Sequence, residues 1–179
     1  GSVDNEEHTV SPRYEGIKLF TESVLFFALD PKSGKVKWQY EPKHSIRHNT
    51  IAIAGGRVYL IDRVLALADR ITEPEPNGKH RPRLKPGEHP GGVLLALDAR
   101  TGREIRRQIE DIYGTQLAVS EKHGVVLMNY QAVRHKFFRL PSEVGDRLAG
   151  FEAATGKRLW DKAAKYETRP LINDDLIYA

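Results

Sequence analysis

The apolar residues of this chain occur in short runs with apolar side chains at odd and even positions alike. Both 24–29 and 93–97 are apolar at every position. A strand with one face in water would alternate apolar and polar residues. These two runs are therefore predicted to be strands that are covered on both faces.

A run of this kind opens a motif that occurs three times, over 26–38, 95–106 and 149–160. An acidic residue follows the run, a glycine comes four positions later, and a second strand follows. The acidic side chain can accept hydrogen bonds from the next backbone amides, and glycine adopts the left-handed backbone of the turn at little cost. Each copy is predicted to be a β-hairpin. The motif positions are Ala28, Asp30, Gly34 and Trp38, then Asp98 and Gly102, then Glu152, Gly156 and Trp160.

Further strand pairs are predicted between the copies, at 49–54 with 57–62, at 115–120 with 125–130, and at 169–172 with 176–178. Two segments, 63–92 and 131–146, are interpreted as loop insertions. Without them, 38 residues separate successive turn glycines, and a unit of about 40 residues suits a four-stranded propeller blade. The predicted fold is all-β, a partial β-propeller of four-stranded antiparallel blades.

The pattern Ala-x-Asp-x-x-x-Gly-Lys-x-x-Trp, complete over 28–38, resembles the tryptophan-docking motif of the PQQ-like β-propeller repeat family. That family includes quinoprotein alcohol dehydrogenases and the propeller lipoprotein of the outer-membrane barrel-assembly machinery. The second copy departs from the pattern with Arg103 for Lys and Arg106 for Trp, and the third with Gly150 for Ala and Glu152 for Asp. The small residues Ala28, Ala96 and Gly150 are expected to leave room for bulky neighbours.

The resemblance covers 17–179 and implies the propeller fold and a periplasmic or other extracytoplasmic setting. Residues 1–15 are interpreted as a polar lead-in that begins with a tag remnant, Gly1-Ser2. We expect 16–179 to form an arc of about three to four blades, incomplete at both ends, with apolar faces exposed on its end blades. Its first expected partner is the remainder of the propeller or a second copy of the chain.

Composition narrows the function classes further. The chain has no cysteine, which excludes disulfides and thiol catalysis. It has no apolar run of about 18 residues, so no membrane span is predicted. A net charge of +4 with a pI near 9.3 is too mild to indicate nucleic-acid binding.

Alternate connections of an antiparallel meander emerge on opposite faces of the propeller. The acidic turns share one face, and the two insertions share the other with the connections 41–48, 110–114 and 163–168. Binding sites usually lie on long loops of a rigid scaffold, so ligand-binding candidates come from this second face. They are His44, Arg47, His48, Arg81, Tyr113, Phe137, Tyr166 and Arg169.

Each candidate has a simpler structural alternative. His44 and His48 could share a metal ion, but four-residue spacing converges ligands only on a helix, and Pro42 favours a loop, so no metal is predicted. Arg47 could bind an anion or form an ion pair with Asp62 or Glu41.

The insertions also leave alternatives open. A short helix could form over 63–71, followed by a Pro-rich extended loop whose basic residues at 79–85 either contact a phosphate or sulfate or keep the loop in water. Phe137 and Phe138 either stack on bases or sugars or, as we favour, anchor the second insertion.

Two functions fit these patterns. The first is a non-catalytic scaffold that binds a protein or glycan partner through loops on one face. The alternative, implied by the resemblance, is a fragment of a PQQ-dependent dehydrogenase, with PQQ and calcium held only if missing blades supply the ligands. No catalytic residue is predicted, because the sequence shows neither paired carboxylates nor a Ser-His-Asp constellation nor a phosphate-binding glycine loop.

Overall fold

The structure is a computed structural model that describes residues 2–3, 22–63, 72–74, 76, 80–82, 91–130, 145–166, 169–173 and 175–179. These residues contain sixteen strands and no helix. The strands are β1 Ser2–Val3, β2 Glu22–Ser23, β3 Phe26–Leu29, β4 Val36–Tyr40, β5 Ile46–Ala54, β6 Arg57–Asp62, β7 Thr72–Pro74, β8 His80–Pro82, β9 Val93–Asp98, β10 Glu104–Gln108, β11 Gln116–Ser120, β12 Val125–Asn129, β13 Arg147–Glu152, β14 Arg158–Ala163, β15 Leu171–Asn173 and β16 Leu176–Tyr178.

Two complete blades lie at the centre of this arrangement. Blade 1 is the antiparallel meander β5-β6-β9-β10, with β2 and β1 added at its β5 edge, and blade 2 is the meander β11-β12-β13-β14. The first hairpin, β3–β4, precedes blade 1, and the last hairpin, β15–β16, follows blade 2. Strand β11 contacts both β5 and β15, so the first strands of successive units lie side by side.

The blades stack face to face through two apolar clusters. Leu95 and Leu97 of β9 pack toward the first hairpin, against Phe26 and Trp38. The alternate residues of the same strand, including Leu94, pack toward blade 2. This is the geometry of a propeller rather than of one flat sheet, and the chain is a partial β-propeller.

The prediction that apolar strands are covered on both faces is confirmed for 93–97 and wrong for 24–29. Phe26 is packed against blade 1, whereas Phe27 and Leu29 on the opposite face of β3 are exposed, as is Val24 before the strand. Neither of the two apolar clusters includes Phe27 or Leu29. The expected exposure of apolar faces on the end units is therefore seen here.

The acidic turns form as the motif predicts. The Asp30 carboxylate accepts hydrogen bonds from the amides of Lys32 and Ser33 at 3.1 and 2.9 Å. The Ser33 amide and the Lys37 ammonium contribute most to lowering the pKa of Asp30 to about 2. Asp98 accepts two equivalent amide bonds, and Gly34 has the left-handed φ of 69° that closes the hairpin.

In each of the first two copies of the motif, one side chain joins its hairpin to the acidic turn of the next copy. Trp38 Nε1 donates to the Ala99 carbonyl at 3.1 Å, and its ring lies so close to Gly102 that an added Cβ would come within 2.6 Å of it. Arg106 occupies the same place one unit later. Its Nη1 donates to the Ala153 carbonyl at 2.9 Å, and the guanidinium lies against Gly156. Arginine thus replaces tryptophan and still donates a hydrogen bond to the next turn.

The small residues stand opposite these bulky ones, as expected. Ala28 pairs directly with Trp38, Ala96 with Arg106, and Gly150 with Trp160. A Cβ built on Gly150 would come within 2.5 Å of the Trp160 ring. A glycine is therefore required there by close packing of the indole.

Two sequence-based assignments need correction. Residues 46–48 were expected in a loop, but β5 begins at Ile46, so Arg47 and His48 lie on a strand. The pairing of β5 with β6 is irregular between Ile46 and Ile51, and such a bulge blurs the alternation that marks a strand. The Pro-rich part of the first insertion, expected to be an extended loop, contains the paired strands β7 and β8. The helix expected over 63–71 falls, beyond Arg63, outside the described residues.

Replacement of Gly150 by alanine should destabilise the fold by about 1–3 kcal/mol, because the new methyl group has no room beside Trp160. Gly91→Ala is the matched control, since a Cβ there meets the Tyr113 ring at an ordinary 3.6 Å. Urea unfolding followed by tryptophan fluorescence measures both variants. Equal stabilities of the two variants would contradict this account of Gly150.

Candidate functional site

A cleft of about 420 Å³ opens on the face where the blade connections lie. The other face holds the acidic turns, where the Ala99 amide donates to the Gly56 carbonyl and the Ala153 amide to the Gly124 carbonyl. The cleft is built from the ends of β4 and β6, the connections before β5 and after β10, the segment before β9, and residues of β9 and β10 themselves. Its polar lining residues are Tyr40, Lys43, His44, Asp62, Arg107, Asp111 and Tyr113.

Asp62, at the end of β6, fixes one wall of the cleft. Its carboxylate accepts hydrogen bonds from the backbone amides of Lys43 and His44 at 2.6 and 2.9 Å. Two backbone donors orient this carboxylate and tie the β4–β5 connection to blade 1. The side chains of Lys43 and His44 are both on exposed residues at the rim.

Tyr40 forms a second wall and belongs to the first hairpin. Burial raises the pKa of Tyr40 to about 12, and the negative charges of Asp62 and Glu104 act in the same direction. The phenol therefore stays protonated at neutral pH. It offers a ring face and a hydroxyl to a ligand rather than a base.

A buried arginine positions the third wall. The Arg63 guanidinium lies 4.9 Å from the centre of the Tyr113 ring, and its Nη1 donates to the Tyr113 carbonyl at 3.2 Å. Gly92 makes this possible, because a Cβ at that position would come within 2.9 Å of both the Asp62 carbonyl and Arg63. Arg63 is fully buried, so it acts on the cleft through Tyr113.

Arg107 places a fixed positive charge at the cleft. Its Nε donates to Glu104 Oε1 at 2.7 Å, and this bond and the carboxylate charge raise the pKa of Arg107. The same bond to Arg107 is the largest influence on Glu104 and holds its pKa below the usual value, although slight burial opposes it. Lys43 also lines the cleft, which therefore carries cationic and anionic side chains together.

A four-membered ion network joins the cleft to blade 2. The Asp111 carboxylate contacts Arg147 and Arg158, both at 2.7 Å, and Arg147 also pairs with Asp161. The Arg147 guanidinium lies 4.6 Å from the centre of the Tyr130 ring. Partial burial alone would raise the pKa of Asp111, but its bonds to the two arginines outweigh burial and hold that pKa below its usual value.

Two of the predicted candidates, His44 and Tyr113, lie together in the cleft. Arg47 is buried on β5, so it is not presented at the surface for an anionic ligand. His48, four residues after His44, lies instead 3.0 Å from the Ser23 hydroxyl. Among the described residues no group of three His, Asp or Glu side chains could hold a metal ion.

The remaining candidates lie elsewhere. The Tyr166 hydroxyl donates to the Arg147 carbonyl at 2.7 Å and accepts from the Tyr130 amide at 3.1 Å, so it holds the ends of β12 and β13. Arg169 donates to the Leu117 carbonyl at 3.0 Å. Arg81 is part of β8, but its side chain lies outside the described part of the structure, as does all of Phe137.

Sequence reasoning missed Tyr40, Arg63, Arg107 and Asp111. Tyr40 and Arg107 lie near the ends of strands. The alternation of residues in those strands does not show whether either side chain is exposed or packed. Arg63 was placed at the start of a possible helix. An arginine directly after a buried strand was the only available signal for it.

No family model and none of the curated proteins compared match this chain. Solved structures do match it. A europium-containing methanol dehydrogenase is 19% identical with a TM-score of 0.46, over 78% of this chain and 21% of that one. For a quinohemoprotein alcohol dehydrogenase from Comamonas testosteroni the identity is 20% and the TM-score 0.43, over 78% and 18% of the two chains.

BamB from Moraxella catarrhalis matches at 16% identity and a TM-score of 0.30, over 87% of this chain and 51% of that one. The expected resemblance is confirmed. These matched structures are two dehydrogenases and BamB. This chain spans about a fifth of the length of the two dehydrogenases and about half of BamB. No described helix is long and apolar enough to cross a bilayer.

Replacement of Asp111 by asparagine should lower stability by about 1–2 kcal/mol at pH 7, because two charge-assisted bonds are lost. The folded pKa of Asp111 lies below the value of about 3.9 in an unfolded chain. Its stabilisation is thus present above pH 4 and disappears as the pH falls through the folded pKa. The stability gap between wild type and variant should therefore stay constant from pH 7 to about 4 and narrow progressively as the pH falls below that value.

Urea titrations at several pH values measure this gap. Asparagine tolerates the left-handed backbone of position 111, whose φ is 56°, so the substitution changes charge with little strain. The control is Asp175→Asn, which breaks an exposed pair with Lys122 and should leave stability close to wild type. A gap for the Asp111 variant that stays constant with pH would show that charge is not its cause.

Proposed function

We propose that this chain is a non-catalytic propeller scaffold that binds a protein or glycan partner in the cleft of its connection face. This proposal rests on the hydrogen bonding and protonation of polar groups in the cleft. Asp62 and Asp111 are held by backbone amides and arginines, and Tyr40 is protonated at neutral pH. Such groups can recognise a ligand, but they are poorly suited to move a proton.

The cleft offers chemistry suited to a peptide side chain or a sugar. Tyrosine rings present a flat apolar face together with a hydroxyl, and Arg107 and Lys43 add cationic donors at the rim. A volume of about 420 Å³ lies in the lower part of the range of roughly 300–1,000 Å³ that is usual for ligand pockets. Its walls come from a rigid sheet scaffold, which limits the ordering cost of binding.

The dehydrogenase alternative requires PQQ and a metal ion. A calcium ion needs six to eight oxygen ligands, largely from carboxylates and carbonyls. The cleft carboxylates Asp62 and Asp111 already have partners, and no described cluster of acidic or histidine side chains supplies a set. The described residues therefore do not fit a PQQ–calcium site, and the scaffold proposal does not include one.

We also propose a periplasmic or other extracytoplasmic setting for the protein. This rests on the resemblance of the motif at 28–38 to the PQQ-like repeats. In that compartment, the connection face of the propeller would be available to proteins and glycans of the cell envelope.

The proposal predicts that removing the rim cations weakens binding. A phage-displayed peptide library and a glycan array, each probed with the intact chain, select a defined ligand for titration by calorimetry. Arg107→Ala and Lys43→Ala should each weaken its binding by about tenfold or more, since each removes a charged contact.

Lys32→Ala is the matched control, because Lys32 is an exposed cation on the face with the acidic turns. It should bind as wild type does. Thermal unfolding confirms that the three variants are folded. The proposal fails when neither library yields a ligand, or when all three variants bind with the wild-type affinity.

A further inference from the structure

Asp62 gives the cleft two further hydrogen-bond acceptors. Its Oδ1 accepts from the His44 amide and its Oδ2 from the Lys43 amide, so one lone pair on each oxygen is used. Among the described residues no other hydrogen bond reaches this carboxylate. Each oxygen can therefore accept once more, from a ligand in the cleft that Asp62 lines.

Two adjacent acceptors of this kind suit a pair of neighbouring hydroxyl groups. A carboxylate presents its two oxygens side by side, so hydroxyls on adjacent carbon atoms can each donate to one of them. Sugars carry hydroxyls in this arrangement. A ligand ammonium could also donate here, but it would bring a positive charge, which the other cleft groups disfavour.

Arg107 supplies donors for the acceptor side of a hydroxyl. Its Nε and Nη2 donate to the two Glu104 oxygens at 2.7 and 2.5 Å, which uses two of its five N–H groups and fixes the guanidinium plane. The other N–H groups can donate to a ligand. Because a hydroxyl both donates and accepts, a ligand rich in hydroxyls can bind Asp62 and Arg107 together.

The charges of the cleft walls are already compensated. Arg107 is paired with Glu104, and Asp111 is held by two arginines of blade 2. The Asp62 carboxylate bonds to two backbone amides. An ionic ligand would displace one of these partners or meet a like charge, and both cost free energy. A neutral ligand leaves every pair intact.

The remaining lining suits the apolar face of a sugar ring. Tyr40 and Tyr113 are half-buried, and Val93 and Leu95 of β9 add apolar side chains. The Arg63 guanidinium packs on the Tyr113 ring and holds it in place. The C–H groups on one face of a sugar ring can pack on tyrosine rings while the hydroxyls at its edge reach polar groups.

The central strands of the cleft offer side chains rather than a free edge. Strand β6 pairs with both β5 and β9, and β9 pairs with both β6 and β10. A peptide that binds by adding a strand needs an unpaired edge for its backbone. Neither of these two strands provides one, which favours a ligand recognised through its own hydroxyls over an extended peptide.

We propose that the cleft binds a neutral saccharide, with two adjacent hydroxyls on the Asp62 carboxylate, further hydroxyls on Arg107 and the sugar ring against Tyr40. This inference rests on the proposed function and names the class of ligand that the scaffold takes. The cleft volume of about 420 Å³ suits a short saccharide or the end of a longer one.

The first experiment probes an array of neutral and acidic glycans with the intact chain and titrates the best neutral saccharide by calorimetry. The hits should be neutral. Analogues of the selected saccharide in which a hydroxymethyl group is oxidised to a carboxylate should bind about tenfold more weakly, because their charge has no free partner in the walls.

Deoxy analogues of the selected saccharide test the role of Asp62. Loss of either adjacent hydroxyl should weaken binding to the wild-type chain by about tenfold, because one charge-assisted hydrogen bond disappears. In Asp62→Asn one carboxylate oxygen becomes an amide donor, so at least one deoxy analogue should lose no further affinity. Asp111→Asn is the matched control, since Asp111 also lines the cleft but its carboxylate is bonded to arginines. Both analogues should lose tenfold affinity there.

Tyr40→Ala tests whether the saccharide binds in this cleft. It should weaken binding by about tenfold or more, because the stacking surface is removed. Tyr178→Ala removes a tyrosine that is 53% exposed on the last hairpin, and it should bind as wild type does. Circular dichroism and thermal unfolding separate loss of binding from loss of folding. The comparisons of analogues on the wild-type chain need no variant.

Several results would overturn this inference. They are acidic analogues that bind as tightly as neutral ones, deoxy analogues that match the parent saccharide, deoxy losses that are equal in wild type and a folded Asp62→Asn, and wild-type affinity of a folded Tyr40→Ala. Selection of a peptide but no saccharide would overturn it and leave the proposed scaffold function in place. A chain that binds neither class would overturn both.

Discussion

At two successive junctions, the stacking of units depends on one donor that a unit presents to the acidic turn of the next. At the first junction the donor is the Trp38 indole, and at the second it is the Arg106 guanidinium. Both bind the carbonyl of the residue after the acidic one, and both lie against a glycine with positive φ. The turn at the first junction supplies a fixed acceptor, because the Asp98 carboxylate accepts hydrogen bonds from the backbone amides of Arg100 and Thr101. The two apolar clusters also hold the units together, but hydrophobic burial is non-directional and sets no comparable constraint on orientation.

The exchange of tryptophan for arginine shows which property this position needs. An indole and a guanidinium share a flat shape and an N–H donor, and they differ in charge. Burial lowers the pKa of Arg106, which means that the buried charge is unfavourable, and the hydrogen bond to the turn offsets it. Opposite it stands Ala96, where the first unit has Ala28 and the third Gly150. Planarity and hydrogen bonding are thus what the motif retains.

Local pattern was enough to predict the hairpins and the blade, because the acidic turn, the glycine and the two-faced apolar run are all contiguous in sequence. The start of β5 was not predictable in this way. Its irregular pairing at Ile46–Ile51 places Arg47 and His48 on a strand with no regular alternation. The cleft was predictable only in part, through His44 and Tyr113. Its other walls, such as Tyr40 and Arg107, meet through pairings and stackings between segments far apart in the chain.

The cleft is coupled to the contact between Trp38 and the turn after Asp98, because both involve strand β4. Tyr40 follows Trp38 by two residues on β4, so both side chains point to the same side, toward blade 1. Trp38 fixes that strand to the turn after Asp98, while Tyr40 forms a wall of the cleft whose other walls belong to blade 1. The width of the cleft is therefore set by how the first hairpin docks on blade 1. A ligand that contacts both Tyr40 and Arg107 would bind across a junction between units and would stabilise their stacking.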